Sequence, residues 1–231
     1  MNILENSNNR NTYSTRISNG SKEVKTFYKL KIILLGDSGV GKTSLLNRYI
    51  GQAFIPNLPC TIQTDFRIKS ITIDPLTSAQ ITIWDTCGQE KYRSMTKQYF
   101  KDAHGIILMF DVCDKRSFAC LNAWIDEIKK NTIKEDLSII LVGNKIDMKF
   151  RNITSEEASN FAKNNDILYC ETSSKEGINI ESPFEKITKD IITKKSSQAK
   201  FENEIIEKVS LNSTRAVRGK ERKREKEVKC C

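Results

Sequence analysis

The sequence predicts an α/β domain, a mostly parallel six-stranded sheet with one antiparallel strand and helices on both faces. Three observations predict it. Short apolar runs alternate with stretches of helical character from Phe27 to Lys195. Strands that are fully apolar and separated by helices, as 106–110 and 139–142 are, have the pattern of a parallel sheet covered on both faces. One pair is joined too closely for a helical crossover, by Asp74-Pro75-Leu76-Thr77-Ser78, and is expected to form an antiparallel hairpin.

The expected strands are Tyr28–Leu35, Asp65–Ile73, Gln80–Trp84, Gly105–Asp111, Ser138–Gly143 and Ile167–Cys170. Helices are expected at 42–50, 91–102, 116–131, 154–165 and 182–194. Trp124, Ile125 and Ile128 fall on one helix face and should turn to the core. Two starts carry capping boxes, Thr154-x-x-Glu157 and Ser182-Pro183-Phe184-Glu185, with Pro183 at the first helical position. Phe184, Ile187 and Ile191 then trace one apolar face. Residues 1–26 carry six Asn and four Ser and too few large apolar groups to order themselves. The chain therefore reads as an N-terminal extension over 1–26, one domain over 27–195 and a polar tail over 196–231.

Composition narrows the class. The 231-residue chain has a formal net charge of +9, so an acidic partner is expected. Its seven cysteines form no zinc-type C-x-x-C pair, and several sit inside apolar runs, which suits reduced thiols in the cytosol. No apolar run approaches the ~20 residues of a spanning helix. The start Met1-Asn-Ile-Leu-Glu5 lacks a secretory signal, and Asn2 excludes the myristoylation pattern. The lone His104 has no ligand-spaced neighbours and reads as a packed or capping side chain.

Chemistry enters with Gly36-Asp37-Ser38-Gly39-Val40-Gly41-Lys42-Thr43, placed between an apolar strand and the helical stretch that opens with Ser44. This is G-x-x-x-x-G-K-[ST] in the setting its mechanism requires. Glycines let successive N–H groups turn inward at phosphate oxygens, and the helix N-terminus adds partial positive charge. Lys42 can reach the outer phosphates, and the Thr43 hydroxyl can ligate Mg²⁺. The pattern predicts binding of a nucleoside triphosphate.

The base is read from Asn144-Lys145-Ile146-Asp147, directly after a strand. A carboxylate there can accept two hydrogen bonds from guanine N1–H and its exocyclic amine, a pair that adenine does not offer. The Lys145 stem can cover a base face, and Asn144 can tie this loop to the phosphate loop. Thr172-Ser173-Ser174-Lys175 can lend N–H groups to the guanine carbonyl. Between these motifs lies Trp84-Asp85-Thr86-Cys87-Gly88-Gln89. Asp85 can hold the metal's hydration shell, Gly88 N–H can sense the γ-phosphate, and Gln89 can orient an attacking water.

With these motifs in register, residues 27–195 resemble a Ras-superfamily small GTPase of the Rab branch. Ile62-Gln-Thr-Asp-Phe66, Lys91-Tyr-Arg-Ser-Met-Thr96, Tyr99-Phe-Lys-Asp-Ala103 and Leu108-Met-Phe-Asp111 add to the likeness. The resemblance implies a P-loop NTPase G domain that binds GTP and GDP with Mg²⁺ and hydrolyses GTP, with Gln89 and Lys42 as catalytic residues. It places Thr61 as a second metal ligand beside Thr43, Phe54 against the guanine, and Phe66, Trp84 and Tyr99 as the aromatic trio read by effectors. Gln63 stands where the family usually has Gly, Cys87 and Ser174 where it usually has Ala, and Pro56 and Pro59 constrain the segment before Thr61. A scaffold that binds GTP and barely hydrolyses it stays open on those departures.

From Arg215 to Cys231 eight basic residues stand against three acidic ones, so the excess charge is concentrated there. The terminal Cys230-Cys231 resembles the Rab ending that receives two geranylgeranyl groups. Two lipid chains anchor stably, and basic neighbours add attraction to anionic lipid. The tail lacks aromatic interleaving and any groove-reading motif, so no nucleic-acid partner is expected. The resemblance implies a guanine-nucleotide exchange factor, a GTPase-activating protein, a prenyl escort, a GDP-dissociation inhibitor and effectors as partners. It also implies vesicle trafficking on the cytosolic face of an intracellular membrane, with cycling through the cytosol.

Overall fold

All six expected strands form, and two more join them. In chain order the strands are β1 (Ile3–Glu5), β2 (Thr12–Arg16), β3 (Val24–Leu35), β4 (Asp65–Asp74), β5 (Thr77–Asp85), β6 (Gly105–Asp111), β7 (Ser138–Asn144) and β8 (Leu168–Thr172). The computed structural model describes residues 3–5, 12–16, 24–59, 61, 65–86, 100–132 and 137–198. Two units are distinguished, Met1–Ile191 and Ile192–Cys231.

Parallel pairing runs β5-β3-β6-β7-β8, and β4 closes the outer edge of β5 in antiparallel register. The expected hairpin is present. Its turn is fixed by the Asp74 carboxylate, which accepts the Leu76 N–H at 2.8 Å. The N-terminal extension departs from the expectation that it has no structure. β2 pairs with the first residues of β3 in antiparallel register, and β1 with β2. β6 pairs with β3 only from Ile32 onward, leaving the earlier edge with free backbone donors and acceptors. Thr12-Tyr13-Ser14-Thr15 has the strand-prone residues to use them.

Alternation along β3 sends Ile33 and Leu35 to one face and Ile32 and Leu34 to the other, all fully buried. On the first face they pack with Ile106, Leu108, Phe110 and Leu141 beneath α3 (Leu121–Asn131) and α4 (Ser155–Asn164). α3 contributes Leu121, Trp124, Ile125 and Ile128, as its apolar spacing required. On the other face lie α1 (Lys42–Tyr49) and a helix over 182–198, here α5, joined where Tyr49 stacks on Phe184 at 3.7 Å. Gly105 leaves room there: a Cβ would meet Ile187 and Ile191.

Helix boundaries differ in two places. The stretch expected as one helix over 116–131 is divided at Cys120 into α2 (Lys115–Ala119) and α3. The junction lets Phe118 reach Phe110 and Phe161, at 5.1 and 5.5 Å between rings, while Leu121 and Trp124 keep the core. Asp114 caps α2, accepting the Arg116 N–H at 2.9 Å, and Thr154 caps α4, accepting the Glu157 N–H at 3.1 Å. α5 starts at 182 as expected but runs on to 198 rather than 194, and the Glu185 N–H bonds to Glu181 O where the capping box placed the Ser182 side chain. The helix expected over 91–102 lies largely outside the described residues. His104 is packed as expected, its Nδ1 accepting the Lys31 N–H at 3.0 Å.

Candidate functional site

The carboxyl ends of the parallel strands deliver every described motif to one edge of the sheet. β3 ends in the phosphate loop, β5 in Asp85, β7 in Asn144 and β8 in Thr172. Between them is a cavity of about 430 Å³. Its lining includes Ser38, Gly39, Gly41, Lys42, Thr43, Ser44, Phe54, Thr61, Asn144, Lys145, Asp147, Ser174 and Lys175. Val40, Ser173 and Asp85 lie behind that lining and hold it in place.

The phosphate loop depends on glycine at two tight points. A Cβ on Gly36 would collide with Met109 O, and one on Gly41 with the Asn144 amide. Gly41 also has φ 98°, which only glycine adopts without strain. Lys42 is 6% exposed, and its ammonium is solvated by the loop it serves, donating to Gly36 O at 2.8 Å and Asp37 O at 2.9 Å. The charge is thus fixed on the inside of the curl, where an anion would sit.

Three oxygen-bearing side chains meet beside it. The Thr43 hydroxyl donates to Asp85 Oδ2 at 2.6 Å and lies 2.8 Å from the Thr61 hydroxyl, which is left to donate to it. Asp85 is 2% exposed, and its other oxygen, Oδ1, is buried with no hydrogen-bond partner among the described residues. Burial pushes its carboxyl pKa up, against lowering by the Thr43 hydroxyl and Lys42. That oxygen beside two hydroxyls makes a hard, oxygen-only donor set. The set fits Mg²⁺.

The base end is tied to the phosphate end by Asn144, 1% exposed. Its amide donates to Val40 O at 2.9 Å. Its carbonyl accepts from Thr172 Oγ1 at 3.0 Å, Ser174 N at 3.2 Å and Ser174 Oγ at 3.1 Å. One side chain therefore holds three loops. The Ser173 hydroxyl donates to Asp147 Oδ1 at 2.6 Å and holds that carboxylate in place. Lys145 adopts a left-handed backbone at φ 69° and pairs through its ammonium with Asp111 Oδ2 at 2.6 Å, setting its stem along the cavity wall.

Sequence reasoning missed several residues here. Asp111 as the partner of Lys145 was visible only as part of a likeness. Ile55, Leu58 and Met148 also line the cavity, and no motif pointed to them. Arg151 and Glu171, which flank the two base loops, form a two-point ion pair: Arg151 Nη1 donates to Glu171 Oε2 at 3.0 Å and Nη2 to Oε1. Of the expected effector residues, Phe66 and Trp84 stack on the neighbouring strands β4 and β5 with ring centres 5.3 Å apart, Phe66 about half exposed. Tyr99, Gly88, Gln89, Gln63 and Cys87 lie outside the described residues, as do Cys230 and Cys231.

The Ras family profile matches residues 31–193. The chain belongs to the Ras family. It is 39% identical over 171 residues to the Ras-related protein Rab-18 of Lymnaea stagnalis, covering 74% of this chain and 84% of that one. The Ras-related protein Rab-18-B of Danio rerio is 40% identical over 163 residues, covering 71% and 79%. The Ras-related protein Rab-26 of Bos taurus is 39% identical over 177 residues, covering 74% and 68%. These relatives put the chain in the Rab branch of small GTPases, and the sheet order is that of its P-loop fold.

Proposed function

We propose that the protein is a membrane-anchored molecular switch that binds GTP, hydrolyses it slowly to GDP and phosphate, and recruits effectors in vesicle trafficking while GTP is bound. One observation carries this reading. A phosphate loop, a hydroxyl–carboxylate cluster and a base-reading carboxylate line one cavity or brace its wall, and Asn144 joins its two ends. Lys42 and the loop amides stabilise charge on the bridging and terminal phosphate oxygens. Thr43, Thr61 and Asp85 are the residues to hold Mg²⁺, which when bound neutralises charge on the β- and γ-phosphates. Asp147 selects guanine, with Ser173, Ser174 and Lys175 completing the base loop, and Phe54 covers the base.

Gln89 positions the attacking water, and no described residue of the cavity is placed as a dedicated general base. Intrinsic turnover is therefore slow, about 10⁻⁴ s⁻¹ in related GTPases, and an activating protein supplying an arginine finger accelerates it by about 10⁵. Loss of the γ-phosphate releases Thr61 and Gly88, which changes the surface that partners read. Phe66, Trp84 and Tyr99 contribute to that surface. An exchange factor, a prenyl escort and a GDP-dissociation inhibitor complete the cycle. Cys230 and Cys231 carry the lipid. Among the described residues no helix is long and apolar enough to cross a membrane, which is compatible with attachment by lipid.

Single-turnover hydrolysis tests the switch. Gln89→Leu should still load GTP while its phosphate release falls at least tenfold with an activating protein present. Equal rates for the variant and the natural chain would rule out that role for Gln89, and negligible release from the natural chain even with an activating protein would favour the scaffold reading instead.

A further inference from the structure

Asp37, the second residue of the phosphate loop, is held at both ends. Its backbone carbonyl accepts from Lys42 Nζ at 2.9 Å, and its carboxylate Oδ1 accepts the indole N–H of Trp124, 87 residues later, at 2.7 Å. Trp124 is 2% exposed and packed among Ile33, Leu35, Phe110, Leu121 and Ile128. An indole has one donor and no acceptor, and its rigid ring turns about only two side-chain bonds, so this contact fixes position as well as charge. A phenyl ring would serve the core. What the N–H adds is a bond to the loop.

At the crest of the loop Ser38 and Gly39 are exposed, and Gly39 has φ 80°. The bond also holds a carboxylate away from a cavity where a polyphosphate would bind: Asp37 is absent from the residues that line it. A carboxylate released from the indole can turn toward that anion and repel it.

We infer that Trp124 is a positioning residue for nucleotide retention: its indole N–H holds Asp37 against α3, which keeps the phosphate loop curled and its carboxylate turned away from the phosphates. The inference rests on the cavity being the nucleotide site. It identifies α3, which contributes no residue to the cavity lining, as an element through which release is controlled.

The test uses the full chain loaded with fluorescent GDP in Mg²⁺ and chased with excess unlabelled GDP. Trp124→Phe keeps the ring and removes the donor, and should release nucleotide about three- to tenfold faster. Asp37→Ala should do the same. Asp37→Asn keeps an acceptor and should be slower than Asp37→Ala. The double variant Trp124→Phe/Asp37→Ala should be no faster than the faster single one, because both remove the same bond. If Trp124→Phe does not fold, the Asp37 pair carries the test from the loop side. The sequence has two tryptophans, so in a Trp84→Phe background Trp124 emission stands alone and should change when EDTA strips the nucleotide. Wild-type release from both single variants, independent multiplicative effects in the double, or emission indifferent to stripping each overturns the inference. A natural chain that retains no labelled GDP instead overturns the assignment of the cavity, and the inference with it.

Discussion

In the proposed function, base choice turns on Asp147. Its carboxylate is held by the Ser173 hydroxyl at 2.6 Å. Two hydrogen bonds to an ionised acceptor contribute about 1.5–3 kcal/mol each. Asp147→Ala should therefore weaken GDP binding at least 100-fold while the fold is retained, as read by equilibrium titration with fluorescent GDP. Undiminished affinity would contradict the assignment. Lys42, Thr43, Asn144 and Asp147 were legible in the sequence because each belongs to a motif whose spacing is set by one turn or one strand end. The bond from Trp124 to Asp37 was not legible. A contact across 87 residues leaves no local pattern, and the buried indole looked like ordinary core.

At the scale of elements, the two base loops are braced by a clamp behind them. Arg151 follows the first loop, and Glu171 precedes the second. They pair at two points, and Tyr169 Oη adds a bond to Glu171 at 2.5 Å. Burial pushes the Glu171 carboxyl up, but the bonds from Arg151 and Tyr169 pull it net below the usual glutamate range. A folded value below the unfolded one stabilises the chain at pH above the unfolded value, about 4.3. That contribution is lost as pH falls through the folded value. Glu171→Gln should lower stability by about 1–3 kcal/mol at pH 7, a Tm difference of several degrees that shrinks on acidification below about pH 4. Thermal melts across pH check this, and a difference independent of pH would refute the clamp. Strands were legible because their apolar runs are bounded by turns and motifs. Helix ends were less so, because the division at Cys120 is set by where Phe118, Leu121 and Trp124 pack. The added strands β1 and β2 escaped composition altogether, since the open edge of β3 that recruits them is a property of the assembled sheet.

At the scale of the whole molecule, a G domain carries a basic tail ending in two cysteines. A tagged Cys230→Ser/Cys231→Ser variant should be diffuse in cells where the natural chain marks a membrane, and equal distributions would remove the anchor. Membership of the Rab branch was legible because four motifs kept their order and setting, whereas the departures at Gln63, Pro56 and Pro59 show that the sequence fits the family without matching its usual switch. The account as a whole depends on a guanine-selective polyphosphate site. The most direct measurement is calorimetric titration of nucleotide-free protein with GDP and with ADP in Mg²⁺. The account predicts tight binding of GDP and ADP at least 100-fold weaker, and equal affinities, or no heat with either, would contradict it.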